Sequence, residues 1–146
     1  MNFALKWTKW KIIGLVFALD RWCKYWFITH PDFIFNSGII KISLSVNDGV
    51  AFGWFSGLPT RWILALNISI VSLFVLLFFQ IRDPVERFGI ELILIGAFGN
   101  FLDRLIYSYV VDYIHLRFFA PVFNLSDVLI TVGAGVMFWR EVGIRR

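Results

Sequence analysis

The run WILALNISIVSLFVLLFF, from Trp62 to Phe79, constrains this chain more than any other stretch, with only Asn67, Ser69 and Ser72 interrupting it. An α-helix needs about 20 mostly apolar residues to cross the hydrocarbon core of a bilayer, and this run approaches that length without a charge. Backbone in that medium must satisfy its own hydrogen bonds, which leaves helices and closed barrels. Composition extends the argument to the whole chain. Of its 146 residues 59% are apolar, and the mean hydropathy of +0.75 exceeds that of soluble domains. Three further runs approach spanning length, so spans are expected at about Trp10–Ile28, Trp62–Phe79, Phe88–Tyr107 and Pro121–Trp139. The fold class expected is an all-α membrane protein of four transmembrane helices, forming one unit over residues 1–146.

Charge then orients the helices. The 14 basic and 10 acidic residues give a net +4, but the basic ones form no nucleic-acid-binding face. Eight of the fourteen (Lys6, Lys9, Lys11, Arg82, Arg87, Arg140, Arg145 and Arg146) flank the spans on one side. Basic residues concentrate on the cytoplasmic side, so both termini are expected there. KWTKWK followed by IIGLVFAL has the shape of a signal peptide, yet DRWCKYWF offers no small-residue cleavage site, and the segment is expected to be retained. Cys23 is the only cysteine, so no internal disulfide can form.

Two segments, about 29–61 and 107–121, then lie outside. In the first, Ile40, Ile42, Leu44 and Val46 alternate with Lys41, Ser43, Ser45 and Asn47, the period of a half-buried strand. Asn47-Asp48-Gly49 is turn chemistry, with VAFGWF as a candidate returning strand. A small β-hairpin or cradle is expected in this loop, resting on the membrane surface or roofing a cavity.

Ionisable residues at membrane depth are costly and mark function or helix pairing. Asp20 and Lys24 are four apart and can pair on one helix face. Asn100 shares a face with Asp103, three apart, and with Arg104, four apart, while Asp103 and Arg104, being adjacent, point in somewhat different directions and need not pair. Glu91, near the cytoplasmic end of its span, is read as reaching the headgroups. Asp112 and Asp127 are tethered by a short outer loop and surrounded by apolar residues. Two carboxyls so placed cannot comfortably both ionise, so one keeps its proton and the pair gains an acid and a base. That is the chemistry of an aspartic protease, although a proton relay or small transporter would also use buried carboxylates. His30 and His115 have no partner at metal-ligand spacing, and neither a metal nor an organic cofactor is expected. GAFGN and VGAGV read as helix-packing glycines.

Together these residues resemble bacterial lipoprotein signal peptidases, also called signal peptidase II, over essentially the whole chain. LDRWCK is similar to that family's Asp-x-x-x-Lys element and VNDGVAFG to its N-x-G-x-A-F segment. GAFGNFLDR resembles its G-x-x-x-N-x-x-D-R block, and VVD and FNLSD its two aspartate motifs. The resemblance implies a multi-pass aspartic endopeptidase of the bacterial cytoplasmic (inner) membrane with its active site at the outer, periplasmic face. It would cut prolipoproteins on the N-terminal side of a diacylglyceryl-modified cysteine. Asp112 and Asp127 would be the catalytic dyad. Asn47, Gly49 and Phe52 would belong to a substrate-facing loop, with Asp20, Lys24, Asn100, Asp103, Arg104 and Asn124 lining or bracing the site. Asn47 and Arg104 would contact the peptide backbone. Membrane lipid and globomycin-type inhibitors are the other expected partners, and a monomer is expected. Two positions depart from the family pattern. Arg21 stands where glutamine is common, and Ser126 replaces an alanine, bringing a hydroxyl that could touch the dyad.

Overall fold

The computed structural model describes residues 3–49 and 58–144. Its elements run α1 (Phe3–Thr29), β1 (Ile34–Asn36), β2 (Ile40–Asn47), α2 (Thr60–Gln80), α3 (Pro84–Tyr107), β3 (Val110–Leu116), β4 (Phe119–Phe123) and α4 (Leu125–Ile144). By length and composition α2 alone among the described helices qualifies as a span. The other three carry charged side chains, and several of these turn inward: Asp20, Lys24, Asp103 and Arg104 are all buried.

Helix ends follow local chemistry. Asp83 caps α3 by accepting from the backbone N–H groups of Val85 at 2.9 Å and Glu86 at 3.0 Å, with Pro84 in the first turn where its missing N–H costs nothing. Arg140 of α4 donates to the same carboxylate at 2.7 Å, which closes the end of the bundle where the α2–α3 loop lies. That guanidinium, followed by the two backbone donors, holds the Asp83 carboxyl below the usual carboxylate range. At the other end of α3, Ser108 adopts the left-handed conformation (φ 70°) and turns the chain directly into β3.

Glycines bring α3 and α4 together. A Cβ on Gly133 would lie 2.5 Å from the carbonyl oxygen of Gly89, and one on Gly96 would lie 2.3 Å from that of Ser126. Backbones approach this closely only where side chains are absent. Gly135, by contrast, has open space around it, so only the first glycine of VGAGV serves packing. Ile13, Leu92 and Leu129 form an apolar core deep in the bundle. Lys9 of α1 pairs with Glu91 of α3. The headgroup reading of Glu91 is therefore corrected: a basic residue on the neighbouring helix neutralises it.

The sheet is larger than the sequence suggested. Four antiparallel strands are ordered β1-β2-β3-β4, with β3 and β4 supplied by the segment between α3 and α4. The described residues thus form four helices plus a four-stranded sheet, not an all-α protein with one small hairpin. The expected fourth span also begins too early, because Phe119–Phe123 is a strand and helix starts only at Leu125. FFAPVF is apolar throughout, so hydropathy could not separate it from the helix behind it. Strand β2 is flanked by β1 and β3; the candidate returning strand VAFGWF lies outside the described residues, as does Phe52. The β2–β3 register sets Ser45 opposite Asp112 and Asn47 opposite Val110. Side chains two apart share a sheet face, so this pairing puts Asn47 and Asp112 on the same one.

Candidate active site

The site forms where the sheet meets the sheet-side ends of α1, α3 and α4. Its scaffold is the start of α4. Asn124 is the N-cap: its Oδ1 accepts from the Asp127 backbone N–H at 2.9 Å, and Asp127 Oδ2 accepts in return from the Asn124 N–H at 3.1 Å. This is a reciprocal capping box. The remaining first-turn donors are also satisfied. Leu125 N–H donates to the Tyr113 hydroxyl at 3.2 Å, and Ser126 N–H to Asp20 Oδ1 at 3.3 Å. Val128 N–H donates to the Asn124 carbonyl at 3.2 Å. Side chains from α1 and β3 therefore complete a helix terminus on α4.

Asp112, on β3, is 2% exposed. Its Oδ1 accepts from Asn124 Nδ2 at 2.6 Å and its Oδ2 from Asn47 Nδ2 at 3.1 Å. Asp127 Oδ1 accepts from Asn100 Nδ2 at 2.7 Å. All four carboxyl oxygens of the two aspartates thus meet amide donors, and Asn124 touches both residues. Burial, and then the charge of Asp127, push the Asp112 carboxyl up to about 7, against the pull of the Asn47 and Asn124 donors. Near neutral pH that residue can carry a proton.

Behind the aspartates lies a quartet of opposite charges. Arg21 bridges Asp103 Oδ1 at 2.7 Å and Asp20 Oδ2 at 2.9 Å. Lys24 lies 2.8 Å from Asp103 Oδ2 and 3.3 Å from Asp20 Oδ2. Two cations and two anions leave the cluster neutral, the condition under which buried charges are tolerated. Asp103 and Arg104, though adjacent, diverge as their positions suggested. Arg104 sends Nη2 to the Gly49 carbonyl at 2.7 Å and Nη1 to Asn67 Oδ1 at 3.4 Å.

Asn47, Asn100, Arg104 and Asp127 line one end of a cavity of about 440 Å³. Ile70, Phe74, Ile93, Ile130 and Ala134 are among its other lining residues, so away from the sheet the cavity continues as a mainly apolar trough between α2, α3 and α4.

The comparisons with known proteins bear on this arrangement. A family model described as signal peptidase (SPase) II matches residues 12–142. The chain belongs to the signal peptidase II family. A lipoprotein signal peptidase of Sinorhizobium fredii is 42% identical over 111 residues, 71% of this chain and 66% of that protein's length. One from Wigglesworthia glossinidia brevipalpis is 30% identical over 142 residues, 89% of this chain and 91% of the relative. Among solved structures, a bacterial membrane enzyme determined by the in meso method at 2.3 Å resolution superposes with a TM-score of 0.80 at 28% identity. That match covers 93% of this chain and 88% of the other. A second bacterial membrane enzyme, at 1.9 Å, gives a TM-score of 0.73 at 28% identity over 90% of each chain.

The described residues that match signal peptidase II motifs converge; Phe52 lies outside the described residues. Asp20, Lys24, Asn47, Gly49, Asn100, Asp103, Arg104, Asp112, Asn124 and Asp127 join through direct contacts into one polar cluster. Ser126 corrects its expectation. Its hydroxyl donates to Asp20 Oδ2 at 2.7 Å, on the charge quartet and not on the dyad. Three contributors had been given no place in the site. Tyr113 donates to Asp20 Oδ1 at 3.1 Å, Asn67 supports Arg104, and Arg21 completes the quartet. Of these only Asn67 left a usable signal, as a carboxamide in the otherwise apolar run of α2.

Proposed function

We propose that this chain removes signal peptides from bacterial prolipoproteins by hydrolysing the bond on the N-terminal side of a diacylglyceryl-modified cysteine, with Asp112 and Asp127 as the catalytic pair. The observation that carries this reading is the shared Asn124, which donates to both carboxyls beside a cavity that continues as a mainly apolar trough. Family membership supports the peptidase class and the prolipoprotein substrate.

In this reading Asp112 holds the proton at rest and Asp127 is ionised. Asp127 takes a proton from water as the hydroxide oxygen attacks the scissile carbonyl carbon. Asp112 gives its proton to the carbonyl oxygen, forming a neutral tetrahedral diol. Collapse breaks the C–N bond; the amine leaves with the proton Asp127 took, and a diol hydroxyl returns one to Asp112. Arg104 and Asn47, at the polar end of the cavity, would receive the unwound peptide backbone. Unsatisfied amides in an apolar medium cost several kcal/mol.

The same reading makes all four helices membrane-spanning, with both termini cytoplasmic and the sheet on the outer face. Exposed apolar residues on every helix support it: Leu15 and Trp22 on α1, Leu76 on α2, Ile106 on α3 and Phe138 on α4. The buried carboxylates cluster around the sheet end of the bundle, which argues against a relay path from one side to the other.

The test is cleavage of a lipid-modified prolipoprotein by purified chain in detergent. Asp112→Asn and Asp127→Asn are each expected to lose at least about 10³-fold in kcat, the scale of a lost general acid or base. Wild-type rates in either variant would remove that residue from the chemistry. Equal processing of unmodified precursor would overturn the substrate assignment.

A further inference from the structure

Lys24 is 1% exposed, yet its ion pairs go to Asp20 and Asp103, not to either member of the dyad. Its third contact is the informative one. Nζ donates to Asn100 Oδ1 at 2.9 Å. An ammonium has three donors and no acceptor, so the only end of a carboxamide it can face is the carbonyl oxygen. The same oxygen accepts from Asn124 Nδ2 at 3.1 Å. With its oxygen claimed twice, Asn100 has only its NH₂ left for Asp127, where it donates at 2.7 Å.

Reversing Asn100 would set its NH₂ against the ammonium and its oxygen against a carboxyl. Asn124 has a fixed sense too. Its NH₂ reaches Asn100 Oδ1 and Asp112 Oδ1, while its own oxygen caps α4. Asn124 thus takes its sense from the Asp127 backbone N–H that its oxygen accepts, while Asn100, with no such backbone donor, is ordered by the donors that Lys24 and Asn124 aim at its oxygen.

We propose that Lys24 is a positioning residue for the peptidase reaction: by facing only the carbonyl end of Asn100, it turns the donor end of that amide onto Asp127. The inference rests on the proposed reading of Asp112 and Asp127 as the reacting pair. It gives α1, which carries neither aspartate, a defined role in the chemistry. Lys24 acts through Asn100 and is not itself a catalytic residue.

A double-mutant cycle tests it. Lys24→Met alone leaves the quartet with one excess negative charge and can fail to fold. The working variant is therefore Asp20→Asn/Lys24→Met, which stays neutral, with Asp20→Asn as its reference. Cleavage of a synthetic diacylglyceryl-modified precursor peptide is measured in micelles, and thermal midpoints are recorded alongside. Relative to Asp20→Asn, the double variant is expected to lose about 50-fold in kcat with KM within about threefold, the pattern of a group acting in the transition state. With Asn100→Ala added to both proteins, the same Lys24→Met step is expected to cost less than about threefold, because the amide it orders is gone. An equal loss in both backgrounds would overturn the proposal, as would a variant within about threefold of its reference. Failure of the underlying reading is recognised separately, by wild-type protein that does not cleave the peptide or by an Asp127→Asn variant that does.

Discussion

Asn124 and Asp127 exchange hydrogen bonds: the N–H of each is accepted by the side chain of the other, at 2.9 Å onto Asn124 Oδ1 and 3.1 Å onto Asp127 Oδ2. A carboxylate in this position ordinarily only stabilises a helix start. Here the other oxygen of Asp127 faces Asn100, and the residue lines the cavity. One local motif both begins α4 and aims a functional group.

The two roles of Asn124 are separable. Serine is a good N-cap but is too short to reach Asp112. Asn124→Ser is expected to hold the thermal midpoint of the helix-forming unit while reducing kcat by about 100-fold or more. Asn124→Ala should lose both, with about 1 kcal/mol of stability gone as well. Thermal unfolding and cleavage rates of the pair decide it; equal midpoints for the two variants would show that the cap matters little.

Asp112 governs the expected response to pH. Its carboxyl is raised to about 7, so the folded chain binds that proton more tightly than the unfolded chain does. The corresponding stability is complete below the unfolded carboxyl range, about pH 4, and disappears as pH rises through about 7. The cleavage rate should fall as pH rises through about 7, because ionised Asp112 has no proton to give. A profile of kcat/KM against pH, run beside thermal midpoints, should show both declines. In Asp112→Asn the alkaline loss of stability should shrink. A wild-type rate unchanged between about pH 6 and about pH 9 would contradict the assignment.

Gly99 and Ser126 form a tight pair. A Cβ at Gly99 would lie 2.2 Å from Ser126 Oγ but 3.3 Å from Ser126 Cβ. Gly99→Ala is expected to destabilise the bundle by about 1–3 kcal/mol through overpacking. Adding Ser126→Ala removes the nearer atom and should restore part of that loss, although Asp20 then forfeits a donor. Unfolding of the three proteins in mixed micelles gives the coupling. A double variant no more stable than Gly99→Ala would mean that the contact is not the cause.

Arg104 uses two arms of its guanidinium at once, on Gly49 and Asn67. Lysine offers a point charge and cannot reproduce that fork. Arg104→Lys should leave folding intact and lower kcat/KM by about tenfold, mostly through KM. A change confined to kcat would place Arg104 in the chemistry instead of in substrate holding.

Much of the site could be read from sequence because its chemistry depends on residue types that are conspicuous in an apolar chain. Asp20, Lys24, Asn100, Asp103 and the two aspartates stand out for that reason. The i, i+4 spacing of Asp20 and Lys24 foretold their contact, and the divergence of Asp103 from Arg104 followed from adjacent helix positions. The sheet was harder. Val110–Leu116 and Phe119–Phe123 are mostly apolar or aromatic, so their strand character shows only when the first pairs with β2 and the second with the first. Tyr113 and Arg21 were passed over because neither spacing nor composition tells which buried carboxylate they will meet. Ser126 was read only as within reach of the dyad. Its hydroxyl lies one residue from Asp127 in sequence but bonds across to α1, a direction that only the helix packing determines.

The charge quartet has a consequence for how the bundle comes together. Arg21, Lys24 and Asp20 belong to α1, while Asp103 belongs to α3. Taken alone, that stretch of α1 carries one surplus positive charge, and Asp103 on α3 lacks both of its cations. Neither helix has its buried charges balanced until it meets the other. The cluster therefore works as an address, matching one helix to its proper neighbour before the site between sheet and helices can close.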